Sequence, residues 1–233
     1  TGTDVLVATD HDVVYDYAQV ASLLGVSDRL VTVAGLETTG HVPYLEVPGD
    51  PFPRVIGHYN FWPLKYQPGL PRNGGPFDEL IEPGELFSRA LPLASSGVPI
   101  IQLNHPLAAA EFGRDLGFPK ALHLDLLEPL PAVDDGTRGG MFIRTPANGV
   151  ANDAYHTQEV MNGTSNAGLL GDRAFWFYML QQGKPRTGTA NSDTHSLGDN
   201  TAGSPRNLVF AATQKNSFAI DVFNQALRDG RSF

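Results

Sequence analysis

Asp193 and His195 stand two apart in Asn191-Ser192-Asp193-Thr194-His195, directly after a segment that reads as a β-strand. On an extended chain, side chains at i and i+2 point the same way. A carboxylate beside an imidazole is half of a metal site. The pair gains weight because other apolar runs also end in, or carry, an acid or histidine. His11 follows residues 5–8, Glu37 follows 30–34, His105 follows 98–103, and Glu159 lies within 157–161.

Composition narrows the chemistry. With no cysteine, thiolate metal sites, disulfides and thiol nucleophiles are excluded. Any metal must rest on His, Asp and Glu, a donor set suited to Zn, Mn or Fe. A net charge of −9 without Lys/Arg clusters argues against a nucleic-acid groove, which needs cations to displace counterions. With 41% hydrophobic and 18% charged residues, the chain has the make-up of a folded globular protein. No apolar run reaches the roughly 20 residues of a bilayer span, and no signal peptide is visible. No Gly-x-Ser-x-Gly elbow occurs, so a Ser-His-Asp hydrolase is poorly supported.

The elements that must position these groups follow from periodicity and breakers. Strands are predicted at 5–8, 30–34, 98–103, 121–127, 157–161, 186–190 and 208–212. Helices are predicted at 13–24, 83–96, 107–116, 169–182 and 217–228, several stopped by glycine. Residues from about 38 to 83 are rich in Pro and Gly and read as one long functional loop, and 132–149 as a shorter one. Alternating strand and helix argues for a parallel sheet with crossover helices, with chemistry at the carboxyl ends of the strands. A barrel is preferred to an open sheet, because closure is what would bring the ends of non-adjacent strands together.

Several segments, in order, resemble the polymerase-and-histidinol-phosphatase (PHP) superfamily of metal-dependent phosphoesterases, and its carbaryl-hydrolase branch above all. They are Thr9-Asp10-His11, Gly35-Leu36-Glu37-Thr38-Thr39, Gly57-His58-Tyr59-Asn60, Asn104-His105-Pro106, Glu159-Val160-Met161-Asn162-Gly163 and Asn191-Ser192-Asp193-Thr194-His195. Ser204-Pro205-Arg206 and Leu227-Arg228-Asp229-Gly230-Arg231 are similar too. The resemblance implies one α/β domain over residues 1–233, a distorted (β/α)7 TIM-like barrel of the PHP kind with one to three divalent ions at its rim. The family opens with a strand bearing His-x-His, which this chain lacks. The expectation is a barrel missing its first strand, either as a fragment of a longer chain or with a depleted metal site.

Residue by residue, the resemblance makes Glu37 a bridging ligand and His105 a ligand of the same ion. His11 and His195 would share an ion. Asp193 would serve the ion that the absent His-x-His completes, or would orient a histidine in its place. Glu159 is either a ligand or structural. His58 is a candidate ligand or the proton donor to a leaving group. Asp10 supports a neighbour or caps a helix, and Arg206 faces an anionic substrate or forms a structural ion pair. His41, His123 and His156 match no motif and read as surface or core. Tyr59, Phe61 and Trp62 wall a pocket or pack the core.

The function implied is metal-dependent hydrolysis of a small-molecule ester by an activated water, with a phosphate ester as substrate. A carbamate or carboxylic ester, or a non-catalytic binding module, are the alternatives. The resemblance to the branch implies a secreted or periplasmic location, with which the low lysine content and lack of cysteine are compatible.

Overall fold

In the computed structural model, which describes residues 2–42, 54–107, 117–164, 166–196, 198 and 200–233, five strands form the organising sheet. They are β3 (Leu36–Thr38), β6 (Tyr59–Trp62), β7 (Ile100–Leu103), β8 (Thr157–Asn162) and β9 (Thr187–Asn191), in the spatial order β3-β6-β7-β8-β9. β7, β8 and β9 are parallel, and β6 runs antiparallel to both β3 and β7. β3, β7, β8 and β9 therefore share one direction, and β6 alone is reversed. Two smaller pairs complete the strands. β1 (Val5–Val7) is parallel to β2 (Val31–Val33) across α1 (Ala18–Leu23), and β4 (His41–Val42) pairs with β5 (Arg54–Val55).

This overturns the (β/α)7 barrel. Among the described residues the sheet stays open, with β3 and β9 as its edges. The physical reason lies in β6, which reverses direction inside the segment that reads as a loop. All four of its residues are buried, so it shows no alternation in polarity. Residues 43–53 of that segment lie outside the described residues, as do 108–116 of the expected 107–116 helix.

Three further expectations are corrected. Residues 121–127 are not a strand: α3 (Phe118–Ala121) ends there, His123 takes a left-handed φ of 52°, and Leu124 N–H closes onto the Pro119 carbonyl. The alternating leucines that mimic a strand are a helix end and turn packed against the core. Residues 132–149 contain α4 (Arg138–Ile143), capped by the Thr137 hydroxyl. Residues 208–212 form only a bridge, Val209 to Ser232. The helices α5 (Asn166–Gln181) and α6 (Ile220–Arg228) stand close to expectation, whereas α2 (Pro83–Ala90) stops short of the expected residue 96 and gives way to a 3-10 turn at Leu91–Leu93. None of the described helices is long and apolar enough to cross a membrane.

The two faces of the sheet differ. Leu36, Tyr59, Phe61, Ile101 and Leu103 join the main core with Phe87, Phe118, Phe142, Phe175 and Met179. On the opposite face Trp62 and Ile100 form a smaller core with Val33 and Leu227. Further along that second face the paired row is Glu37, Asn60, Gln102, Thr157 and Thr187, every member polar and buried. Buried polar groups are costly unless hydrogen-bonded. A polar row across a covered sheet face therefore points toward a site.

Candidate metal centre

The shared strand direction places the carboxyl ends of β3, β7, β8 and β9 at one end of the sheet, and the reversal of β6 brings its amino end to the same side. His58, just before β6, thus joins Glu37 in β3, His105 just after β7, and Glu159 in β8. Gly57 makes the entry to β6 possible: its φ is 98°, and a Cβ there would lie 3.0 Å from the Phe118 nitrogen. Gly35 lets β2 run into β3 between the two sheets, where a Cβ would sit 2.7 Å from the Ala8 and Phe61 carbonyl oxygens. His11 is fixed by a bridge to Glu37, with Asp12 N–H donating to the Glu37 carbonyl at 2.7 Å and Glu37 N–H to that of Asp10 at 3.1 Å.

The inner part of the site is Glu37, His58 and His105, whose ligand atoms all lie within 4.8 Å of one another. All three are buried, and together they can hold a metal ion. His58 Nδ1 is 3.3 Å from Glu37 Oε1, and His105 Nε2 is 3.0 Å from His58 Nδ1. The outer part is more open. His11 Nε2 faces His195 Nε2 at 3.2 Å, and His11 Nδ1 is 3.9 Å from Glu37 Oε2. Glu37 thus presents one oxygen to each part.

Glu159 sits behind His105. Its Oε2 accepts from the His105 backbone N–H at 2.7 Å, lies 3.0 Å from His105 Nδ1, and accepts from Asn162 Nδ2 at 3.2 Å. Its Oε1 accepts from Asn191 Nδ2 at 2.9 Å. Asn162 also donates to Asp193 Oδ2 at 3.0 Å. A bulge in β8 between Glu159 and Met161 makes this possible: residues three apart in a regular strand would face opposite sides.

Asp193 and His195 do meet, with His195 Nδ1 3.7 Å from Asp193 Oδ1 and 3.1 Å from the Asp193 carbonyl oxygen. They do so by a turn rather than by strand alternation, since β9 ends at Asn191 and Asp193 has a φ of 46°. His105 also sits at positive φ, 24°. Non-glycine residues held there are strained, and such strain clusters at functional sites.

Electrostatics tie the inner residues together. Burial works to raise the Glu37 carboxyl, but the His58 hydrogen bond, the charges of His105 and His58 and the Asn104 amide outweigh it and hold it at about 2. Burial works to lower His105, but the Glu159 hydrogen bond and the charges of Glu159, Glu37 and Asp193 raise it to about 9. The proton held on His105 offsets part of the negative charge of Glu159, Glu37 and Asp193 around it.

Other expected residues fall elsewhere. Asp10 does not cap α1: its Oδ1 accepts from the Tyr17 hydroxyl at 3.0 Å. Tyr59, Phe61 and Trp62 are core. His156 serves the sheet, its Nδ1 accepting from Ile101 N–H at 2.9 Å. Sequence reasoning gave no role to the amides Asn104, Asn162 and Asn191 that orient the site. Their signal was their place in the quoted motifs, each one to three residues from a candidate ligand.

Compared with protein-family models, curated proteins and solved structures, the chain matches none.

Proposed function

We propose that this protein is a metal-dependent hydrolase of ester bonds, with Glu37, His58 and His105 holding a divalent ion. The observation that carries the reading is the buried convergence of two imidazoles and a carboxylate on one small volume. Two nitrogens and an oxygen with no sulfur suit Zn, Mn or Fe. A divalent ion supplies Lewis acidity and brings the pKa of water down to roughly 7, so that hydroxide is available near neutral pH.

The protein's own residues supply the rest. Glu159 fixes the ring of His105, leaving Nε2 toward Glu37 and His58, the usual second partner of a ligating histidine. His58, with Nδ1 in the same cluster, acts as a ligand rather than a proton donor. His11 and His195, with side chains 42% and 55% exposed, form the side from which a substrate enters and a second ion or an anionic group is met. Asp193 orients His195. The likeness to PHP phosphoesterases in the ordered motifs favours a phosphate ester, with carbamate and carboxylic esters next.

The test is elemental analysis after loading with Zn, Mn or Fe, paired with assays on p-nitrophenyl phosphate and naphthyl carbamate. We expect about one tightly held ion per chain, hydrolysis of one of the two substrates, and loss of both ion and activity in Glu37→Gln. A protein that takes up no metal and cleaves neither substrate would sink the proposal.

A further inference from the structure

Beneath the candidate ligands runs a directed chain of hydrogen bonds. Thr189 Oγ1 donates to Gln102 Oε1 at 2.9 Å, and Thr157 Oγ1 donates to the same oxygen at 3.3 Å. Gln102 Nε2 then donates to Asn104 Oδ1 at 2.9 Å, and Asn104 Nδ2 donates to Glu37 Oε1 at 2.8 Å. Each of these residues is buried. The chain crosses three strands, β9 and β8 meeting at β7, and leads into β3.

Each link constrains the next. An amide side chain can present oxygen or nitrogen to a given neighbour, and only its partners decide. The Glu37 carboxylate only accepts, so Asn104 turns its NH2 to Glu37 and its Oδ1 to Gln102; Gln102 must then give its NH2 to Asn104, and its Oε1 is left to accept from the two hydroxyls. A carboxylate accepts that donor but would repel an amide oxygen. Gln102 is also the one polar residue of β7, at a position that packing alone would fill with an aliphatic side chain.

We infer that Gln102 is a positioning residue that sets the orientation of the Glu37 carboxylate through Asn104. The inference rests on the proposed role of Glu37 as a metal ligand. Without the relay, Asn104 turns, Glu37 Oε1 loses its fixed donor, and the carboxylate no longer holds one oxygen toward His58 and His105.

The experiment measures Mn²⁺ affinity by chelator competition in the wild-type protein, Gln102→Met, Asn104→Leu and the double variant. It also follows hydrogen exchange of the Asn104 side-chain amide by NMR in the metal-free protein. We expect Gln102→Met to weaken Mn²⁺ binding about tenfold, as outer partners of ligands do, and to have almost no further effect once Asn104 is Leu. Exchange at Asn104 should accelerate at least tenfold in Gln102→Met. Thr189→Val, which removes one donor and keeps the shape, should move both readouts the same way by less, and it serves if Gln102→Met does not fold. Equal weakening by Gln102→Met in both backgrounds would assign Gln102 to general stability and overturn the relay. So would unchanged exchange at Asn104, whatever the metal result. No Mn²⁺ binding by the wild-type protein, with exchange at Asn104 still accelerated in Gln102→Met, would overturn the metal reading and leave the relay standing.

Discussion

Glu159 lies behind the candidate ligand His105, and on the proposed reading it would support an ion without touching it. Both of its oxygens are engaged, by the His105 backbone and ring, by Asn162 and by Asn191. In Glu159→Gln the shape survives, and Asn191 can turn to meet the new amide. The charge that makes His105 a stronger donor is lost. We expect metal affinity to fall about 10- to 100-fold while the circular dichroism of the folded protein is unchanged. Retention of full affinity in a chelator titration would show that Glu159 is ordinary buried polar structure. The identities of such residues were readable in the sequence, because histidines and acids at strand ends are rare enough to notice. Their division into ligands and supports was not, because that depends on which ring nitrogen faces which oxygen.

At the scale of elements, the parallel strands and the long helices announce themselves, while the reversed strand stays hidden. β7 is a short apolar run between Pro99 and Asn104, and α5 carries Phe175, Tyr178 and Met179 at helical spacing. β6 is buried on both faces and preceded by glycine, so local sequence marks it as neither strand nor loop. Its direction depends on antiparallel partners that come before and after it in the chain. The joint between β7 and β8 is equally hidden. There His156 N–H donates to the Ile101 carbonyl at 2.8 Å, and its ring Nδ1 accepts from Ile101 N–H, extending the ladder by a side chain. Burial first, then the charges of Arg228 and Arg186, lower His156 to about 4, so it stays neutral in the folded protein over most of the acid range. The unfolded chain takes up a proton near 6.5. The stability from a neutral His156 is therefore complete above about 6.5 and is lost as pH falls toward 4. His156→Asn keeps an acceptor in place and removes that titration. Chemical denaturation at pH 7 and pH 4.5 should show a smaller loss in the variant than in the wild type. An equal loss in both would mean that His156 does not titrate in this window.

For the whole molecule, a chain of net charge −9 gathers Glu37, Glu159, Asp193 and four histidines at one end of its open sheet. On the proposed reading, the proton on His105 and a divalent ion would compete for the same place, because a ligating imidazole must be neutral. The sign of the pH dependence follows. His105 is raised to about 9 in the metal-free fold and lies near 6.5 when unfolded. Its contribution to stability is full below about 6.5 and disappears as pH rises toward 9. With metal the trend reverses over the same interval, since binding strengthens as the proton leaves. An ion that binds only the native state, present at 100 times its dissociation constant, adds about 2.7 kcal/mol of stability. Denaturant titrations of metal-free and Mn²⁺-loaded protein between pH 6.5 and 9 should therefore give curves that diverge as pH increases. The metal-free protein should weaken and the loaded protein should hold or gain. Parallel curves would mean that protons and metal do not share this site, and the convergence of acids and histidines at one end of the sheet would then need a different explanation.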